Sequence, residues 1–302
     1  MTTAITIGMI IIYVAIMMGI GVYTARQTRS VSDFVLGSHS VGSWLTAFAY
    51  GTSYFSAVVF IGYAGQFGWT YGVSAAWVGI GNALLGSLLA WIVLGRRTRI
   101  MTQSLGAKTM PEYFEKRWNS KGLKIAAALI VFVFLIPYTA SVYNGLSRLF
   151  NMAFQIESEG AYKIIIIVMA LLTAIYVILG GYAATAINDF IQGIVMLIGI
   201  AAVVICAIQN QGGLTSALAA LGEIEVNGKT NTLNSVFGPD PLNLLGVVIL
   251  TSLGTWGLPQ MIHKFYAIKS ENDIKKGAVI STVFALIVAG GSTLIAIVCG
   301  IP

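Results

Sequence analysis

Charged residues divide this chain into long uncharged runs, and the lengths of these runs restrict the folds that are open to it. The uncharged runs cover residues 1–25, 34–95, 125–147, 164–188, 190–222, 241–263 and 277–302. A helix needs about 20 predominantly apolar residues to cross the hydrocarbon core of a bilayer. The run 34–95 is long enough for two such helices, with a turn at the sequence GQFGWTYG. The sequence therefore predicts eight spans, approximately at 5–23, 44–64, 72–94, 125–147, 163–180, 189–208, 243–262 and 278–299.

The composition supports a membrane protein and offers no sign of an enzyme. Charged residues make up only 9% of the chain, whereas soluble proteins carry about 25%. No basic residue precedes the apolar part of the first span, which we interpret as a retained helix and not as a signal peptide. The sequence shows no nucleophile-plus-base arrangement, no phosphate loop and no paired carboxylates. We predict an all-α polytopic membrane protein with a single transmembrane domain over residues 1–302.

The positions of the basic residues predict how the chain is oriented in the membrane. All but three of the 17 Lys and Arg residues fall in loops on one side of the predicted spans, the exceptions being Arg148, Lys163 and Lys229. Such asymmetry follows the positive-inside rule and places the N-terminus outside. The net charge of +6 then reflects topology and contact with anionic lipid. We therefore expect the lipid bilayer as a partner and no nucleic acid.

The stretch AYGTSYFSAVVFIG interrupts the second span with small and polar residues. It contains Gly51, Thr52, Ser53 and Ser56 at positions where a spanning helix usually carries Leu, Ile or Val. A break in a spanning helix frees backbone groups, which cannot face lipid without a partner. Transporters use such breaks to line a binding site. The alternative is a continuous helix that is softened by these residues and packs closely on a neighbour.

The seventh span carries a second predicted interruption, in the stretch LTSLGTWGLPQMIH. Gly254, Gly257 and Pro259 lie within six residues of one another. Proline removes a backbone donor and clashes with the carbonyl four residues earlier. A single proline kink has no functional meaning by itself. Two interrupted spans at positions that can correspond across a repeat indicate a binding site near the middle of the membrane.

Asp189 is the acidic residue that lies closest to the membrane between Lys163 and Glu223. Acidic residues in such positions usually face the interior of a helix bundle or a water-filled path, and they are often functional. The alternative is a first-turn acid at the start of the sixth span, where the helix dipole favours a negative charge. The residues alone leave both interpretations open.

Four stretches of the chain resemble the sodium:solute symporter family, in particular the branch with the sodium/proline and sodium/pantothenate carriers. They are DFVLGSHSVGSWLTAFAYGTSYFSAVVFIG (33–62), TMPEYFEKRW (109–118), PYTASVYNGLSRLF (137–150) with GGYAATAINDFIQ (180–192), and GLPQMIHKFYAIKS (257–270). The resemblance implies a leucine-transporter (LeuT) type fold with two inverted repeats of five helices. An extra helix at 5–23 would precede a first repeat at about 44–208 and the start of a second at about 243–299.

The resemblance also implies a sodium site. The backbone carbonyls of Thr52 and Phe55 match the family's ligands on the first core helix. The family's remaining ligands are hydroxyls on the eighth core helix, and the sequence stops at Pro302, after the seventh. We therefore expect this chain to be the N-terminal part of a longer transporter, truncated after about eight helices.

Further site residues follow from the same resemblance. Asp189 matches an acidic residue that takes part in sodium coupling or release. The expected substrate pocket comprises Ser53, Ser56, Tyr138, Thr255 and Trp256, and the expected helix breaks are Gly51, Gly254, Gly257 and Pro259.

Three positions depart from the proline branch of the family. Tyr54 stands where that branch has an acidic residue, Thr251 where it has an aromatic residue, and His39 where an arginine is usual. The first two differences argue against proline as the substrate.

The sequence as a whole predicts a sodium-coupled symporter of a small organic solute, an amino acid or a carboxylate. Transport would occur by alternating access across the cytoplasmic membrane, with Na+ as the coupling ion and no other cofactor. The first alternative is a sensor whose transporter-like membrane module feeds a signalling domain. The second is a carrier coupled to protons, because Asp189 is titratable.

Overall fold

The computed structural model describes residues 2–26, 28–37, 41–55, 64–155, 158–226 and 228–299. The helices are α1 (Thr2–Ala25), α2 (Val31–Leu36), α3 (Ser43–Tyr54), α4 (Ala64–Tyr71), α5 (Ala76–Gly81), α6 (Arg96–Leu105), α7 (Met110–Trp118), α8 (Lys121–Phe154), α9 (Glu159–Asn210), α10 (Leu214–Glu223), α11 (Pro241–Leu253), α12 (Pro259–Ala267) and α13 (Glu271–Cys299). Short 3-10 segments lie at Gly72–Ala75 and Gly254–Gly257, and π-helical segments lie at Asn82–Leu88 and Trp91–Gly95. The described residues contain isolated β-bridges but no strand.

Five helical stretches of the described chain are long and apolar enough to cross a membrane. They are Ile7–Ala25, Gly65–Leu105, Lys121–Phe154, Glu159–Asn210 and Glu271–Ile295. The bent pair Pro241–Gly257 and Pro259–Ala267 makes a sixth when it is counted as one span. The number is lower than the eight predicted spans because two of them, 163–180 and 189–208, lie within the single stretch Glu159–Asn210. Another, 44–64, extends into residues outside the described part. The chain is an all-α, multi-pass membrane protein.

Gly181 divides α9 into two halves. Its backbone has φ 57° and ψ −150° inside an otherwise helical segment of 52 residues. Essentially only glycine adopts this combination, and an added Cβ would lie 2.6 Å from the carbonyl oxygen of Phe34. The second half of the helix therefore begins directly after Gly181, and not at residue 189 as predicted. Asp189 consequently lies two turns inside this half, so the interpretation of Asp189 as a first-turn acid is wrong.

The first interrupted span breaks at Phe55 and not at Gly51. Phe55 has φ −91° and ψ 64°, which is outside the helical region. Gly51 lies inside α3, and its carbonyl still accepts a hydrogen bond from the N–H of Phe55 at 2.9 Å. A side chain at position 51 would overlap the ring of Phe284. The expectation that Gly51 forms the break is thus wrong, because this glycine serves close packing between α3 and α13.

The second interrupted span is broken between α11 and α12. A short 3-10 segment follows α11, and Leu258 then takes the extended conformation, with φ −67° and ψ 125°. Pro259 is the first residue of α12, where a missing N–H costs nothing. A residue before proline is also pushed out of the helical region. The two parts of the span are bent by 53°.

The aromatic core of the described part lies between α3, α12 and α13. Phe48 contacts Phe284 with ring centroids 5.1 Å apart, and Trp91 meets Phe265 edge to face at the same distance. Such pairs contribute about 0.5–1.5 kcal/mol beyond the burial of their area. Tyr50, which is 1% exposed, contacts both Trp91 and Phe265. The core therefore holds both interrupted spans against α13.

Residues at the cytoplasmic side of the predicted topology tie the start of α3 to the α12–α13 corner. Val41 and Ile268 form a parallel bridge, and the N–H of Lys269 donates to the carbonyl of Val41 at 3.0 Å. The guanidinium of Arg99 donates to the carbonyl of Lys269. The carboxylate of Asp273 accepts hydrogen bonds from both the backbone N–H and the hydroxyl of Ser43. These contacts join the starts of α3 and α13 and the end of α12 into one unit.

The segment between α9 and α11 contains the ten-residue helix α10. Turns after this helix contact the junction between α4 and α5. The carbonyl of Leu233 accepts from the N–H of Val73 at 2.8 Å, and the carbonyl of Val236 accepts from the indole of Trp77 at 2.9 Å. The contact of Leu221 with Leu233 explains the helix, because α10 supplies an apolar face that covers this turn.

Candidate functional site

A cavity of about 230 Å³ lies between the two interrupted spans. The first span contributes Tyr54 and Phe55, and the second contributes Leu250, Thr251, Gly254 and Thr255. Further lining residues come from the segment that includes α5 and from α13; they are Phe67, Ala75, Val78, Gly79, Asn82, Ala289, Ser292 and Thr293. None of the described lining residues carries a charge. The cavity is thus an apolar space with a few neutral polar groups, as binding sites for small molecules usually are.

The hydroxyl of Tyr54 links the two interrupted spans. It donates to Oδ1 of Asn82 at 2.9 Å, and the carbonyl oxygen of Thr251 lies 3.3 Å away. The hydroxyl of Ser252 donates to the same Oδ1 atom at 3.1 Å. Asn82 begins a π-helical segment, and such segments often occur at functional sites. One buried amide oxygen therefore holds residues of both broken spans.

The hydroxyls in the cavity donate hydrogen bonds to nearby backbone carbonyls. Thr251 donates to Val247 at 2.8 Å, and Thr293 donates to Ala289 at 2.8 Å. Ser292 also donates to a carbonyl of its own helix, at 3.0 Å. A hydroxyl has one hydrogen and two acceptor lone pairs. The oxygens therefore remain available to accept hydrogen bonds or to hold a cation.

The expected sodium ligands Thr52 and Phe55 lie where α3 ends. The last carbonyls of a helix have no partner within the helix, and the hydrogen bond from the N–H of Phe55 to the carbonyl of Gly51 is the last one described for α3. Phe55 lines the cavity, whereas Thr52 is not among the lining residues, and its hydroxyl donates to the carbonyl of Phe48 at 2.9 Å. The structure thus places Phe55, but not Thr52, at the cavity.

Three of the expected pocket residues that the structure describes, Trp256, Ser53 and Tyr138, are not among those that line the cavity. Trp256 follows Thr255 in a 3-10 segment, where one residue turns the chain by about a third of a circle. Its indole N–H consequently points elsewhere and donates to the carbonyl of Leu85 at 3.0 Å. Ser53 precedes Tyr54 on α3 and is also absent from the lining. Ser56, like His39, lies outside the described residues.

Tyr138 lines a different cavity, of about 580 Å³, between α7, α8 and the second break. Gly257, Leu258 and Pro259 form the side of this cavity that the second break provides. The structure therefore brings Tyr138 next to the second break, but not into the cavity that contains Tyr54. The reason is the position of α8, which lies beside α7 and contributes no residue to the first cavity.

Asp189 forms an ion pair with Lys264. The Nζ atom of Lys264 lies 3.5 Å from Oδ2 of Asp189, and the two side chains are 8% and 22% exposed. Burial of a charge is costly unless it has a partner, so the pairing accounts for the presence of both residues here. Sequence reasoning missed Lys264 because its position next to a predicted loop suggested an ordinary cytoplasmic lysine.

Sequence reasoning also missed Asn82. Its sequence signal was a lone amide within an uncharged run, at GIGNALLG, and such residues usually have a partner inside the bundle. The partners, Tyr54 and Ser252, are 28 and 170 residues away. No local pattern connects positions this far apart.

Two interrupted spans that meet at a shared cavity are typical of secondary transporters, and comparisons with known proteins agree. The model of the sodium:solute symporter family matches residues 34–301. The sodium/proline symporters of Staphylococcus aureus strains JH9 and JH1 are each 35% identical over 274 residues, which is 89% of this chain and 51% of theirs. The chain belongs to the sodium:solute symporter family.

A solved structure supports the fold. It shows the substrate-bound outward-open state of a Na+-coupled sialic acid symporter, and it matches with a TM-score of 0.77 and 18% identity. The match covers 99% of this chain and 60% of that one. The all-α fold predicted from the sequence, of the leucine-transporter type, is confirmed. The chain spans about half the length of the curated relatives it matches.

Proposed function

We propose that the protein is a sodium-coupled symporter of a small organic solute. It lies in the cytoplasmic membrane with its N-terminus outside and works by alternating access. The observation that carries this proposal is the cavity between the two interrupted spans, which is lined by Tyr54 of one and by Thr251 and Thr255 of the other. A solute bound there contacts both spans, so that its binding favours one arrangement of them over the other.

The cavity indicates the class of solute. A volume of about 230 Å³ is below the roughly 300–1,000 Å³ of pockets for drug-sized ligands, which favours a small amino acid or carboxylate. The hydroxyl oxygens of Thr251, Ser292 and Thr293 are acceptors, as described above. Acceptors of this kind suit the ammonium group of an amino acid. Proline belongs in the set of test solutes because the relatives from Staphylococcus aureus are sodium/proline symporters.

Sodium enters the proposal as a transported ion. The carbonyls of Thr52 and Phe55 supply oxygens at the end of α3, and uncharged oxygens suit a monovalent cation. The binding of sodium there orders the broken span and so strengthens the binding of solute, and the coupling between the two sites is reciprocal. The inward movement of one sodium ion contributes about 2.3 kcal/mol per 100 mV of membrane potential.

The test is the uptake of labelled solutes by membrane vesicles that carry the protein. Amino acids and small carboxylates are screened with an inward sodium gradient, with an inward proton gradient, and with potassium in place of sodium. We expect accumulation of one solute that depends on the sodium gradient. Accumulation driven by the proton gradient alone would replace the proposal by proton coupling. No accumulation of any solute would contradict symport and favour a sensor.

A further inference from the structure

The surroundings of the Lys264 ammonium are unusual for a lysine. The residue is only 7% exposed, and its Nζ atom lies 3.5 Å from Asp189 and 5.3 Å from the centre of the Tyr182 ring. Both neighbours attract a cation, the carboxylate by its charge and the ring by its electron-rich face. The position of Nζ is therefore a binding site for a monovalent cation, and a side chain of the protein occupies it.

The ion pair connects α9 with α12. Tyr182, Ala186 and Asp189 are spaced by four and three residues, so they share one face of α9. This face meets α12 and the start of α3, where Ala186 and Tyr182 pack in one apolar cluster with Val41 and Ala267. The ion pair lies beside this cluster and is a polar contact from α9 to α12.

On its other side, α12 is tied firmly to α3 and α13. Lys269, which follows α12, is hydrogen-bonded to Val41, which precedes α3. Asp273 of α13 is hydrogen-bonded to Ser43 of α3. If α12 moves, these contacts make the starts of α3 and α13 move with it. The boundary that must then open is the one between this unit and α9, which includes the Phe48–Phe190 ring contact at 4.8 Å as well as the ion pair of α12 with α9.

We propose that Lys264 is a gating residue that competes with the transported sodium ion for Asp189. While α12 lies against α9, the ammonium holds the carboxylate and the cytoplasmic side is closed. When α12 moves away, it removes the ammonium, and sodium takes its place on Asp189. This inference rests on the proposed function, in which sodium is the transported ion.

Competition follows from electrostatics. A single carboxylate in a partly buried site cannot hold two cations without strong repulsion between them. Sodium at Asp189 therefore favours the open arrangement, and Lys264 favours the closed one. By linkage, removal of the ammonium makes opening easier and lets sodium act at lower concentration.

The test measures how accessible the α12–α9 contact is from the cytoplasmic side. Ala267, which is 0% exposed in this contact, is replaced by cysteine in a background where Cys206 and Cys299 are serine. Inverted vesicles are treated with a charged maleimide, and the rate of labelling is measured. Lys264→Gln is expected to raise this rate about fivefold or more, in line with ordinary coupling between two sites.

Matched variants separate gating from a general loss of structure. Lys275→Gln removes a lysine that is exposed on α13, and it should leave the labelling rate unchanged. Lys264→Arg keeps the cation and should restore slow labelling. An unchanged rate in Lys264→Gln would overturn the proposal, and so would equally fast labelling in Lys264→Arg.

The effect of sodium on the labelling rate distinguishes gating from a purely structural role of Lys264, because a structural lysine would not change it. Sodium added on the cytoplasmic side should speed labelling in the protein with Lys264, and should do so at about fivefold lower concentration in Lys264→Gln. Asp189→Asn should abolish the response. An identical sodium response with and without Lys264 would contradict the competition. The wild-type uptake assay is independent of labelling, so failure of symport and failure of the gate are distinguishable.

Discussion

The amide oxygen of Asn82 accepts hydrogen bonds from Tyr54 at 2.9 Å and from Ser252 at 3.1 Å. The three residues are at most 8% exposed, so water does not readily replace a lost partner. A buried polar group left without a partner costs about 1–3 kcal/mol. At the scale of single residues, this shared acceptor fixes the geometry of the cavity between the two interrupted spans.

Asn82→Ala should therefore destabilise the protein more than either Tyr54→Phe or Ser252→Ala. Each of the latter removes one donor and leaves Asn82 with the other, and each should cost about 1 kcal/mol. The alanine variant leaves two buried hydroxyls without this acceptor. The measurement is thermal unfolding of the detergent-solubilised protein, with the exposed Ser104→Ala as control. If all three variants unfolded at the same temperature as the unaltered protein, the network would contribute nothing to stability.

Gly51→Ala should destabilise the protein by about 1–3 kcal/mol, the usual cost of an overpacked core. The new methyl group would overlap the Phe284 ring. Gly254→Ala is the control, because Gly254 has no atom within 4 Å of an added Cβ and a right-handed helical backbone. The double variant Gly51→Ala/Phe284→Leu should recover part of the loss in thermal unfolding. A tolerated Gly51→Ala would refute the assignment of Gly51 to packing.

At the scale of elements, each interruption contains a described residue outside the helical region. Phe55 leaves the helical region at the first break, and Leu258 does so at the second. Pro259 explains the conformation of Leu258, whereas nothing in the described residues requires the conformation of Phe55. The two breaks therefore differ in how strongly local sequence enforces them.

Gly181→Ala should disrupt the arrangement of the two halves of α9. Any other residue at φ 57° and ψ −150° is strained by about 1–3 kcal/mol, and the new Cβ would also lie 2.6 Å from a carbonyl oxygen of α2. Gly199→Ala, in the same helix with open space around it, should be neutral or slightly stabilising. Size-exclusion profiles and thermal unfolding compare the two. Similar behaviour of both variants would contradict a structural need for glycine at position 181.

At the scale of the whole molecule, the interrupted spans converge on one cavity, and the α3–α12–α13 unit meets α9 at the ion pair. In the proposed function, solute and ion therefore act on the same boundary between the interrupted spans and α9. Asp189→Asn should raise the sodium concentration for half-maximal uptake by about fivefold or more, as ordinary coupling predicts. Lys275→Gln, which removes an exposed charge elsewhere, is the control. An unchanged sodium dependence in Asp189→Asn would take Asp189 off the coupling path.

Several features were predictable because their causes are local. Uncharged runs of sufficient length predicted membrane helices, and the GTWGLP stretch predicted the second break. The short helix after Thr109 was also predictable, since proline follows the capping residue, and α7 begins there as Met110–Trp118. In each case the residues that decide the structure are neighbours in the chain.

Other features depend on contacts between distant residues. The position of the first break moved from Gly51 to Phe55, because packing against Phe284 determines the role of the glycine. Tyr138 and Trp256 do not line the cavity with Tyr54, since the direction of a side chain depends on where its helix lies.

The sequence by itself determined the class of protein, the approximate place of most spans, the presence of two interruptions and the family. Hydrophobicity and proline act within one helix, so these conclusions require no knowledge of the neighbours. Only the tertiary structure joined Tyr54 to Asn82 and Asp189 to Lys264. The partners of a buried polar group are whatever side chains packing brings within about 3 Å, and the ion pair joins residues 75 positions apart.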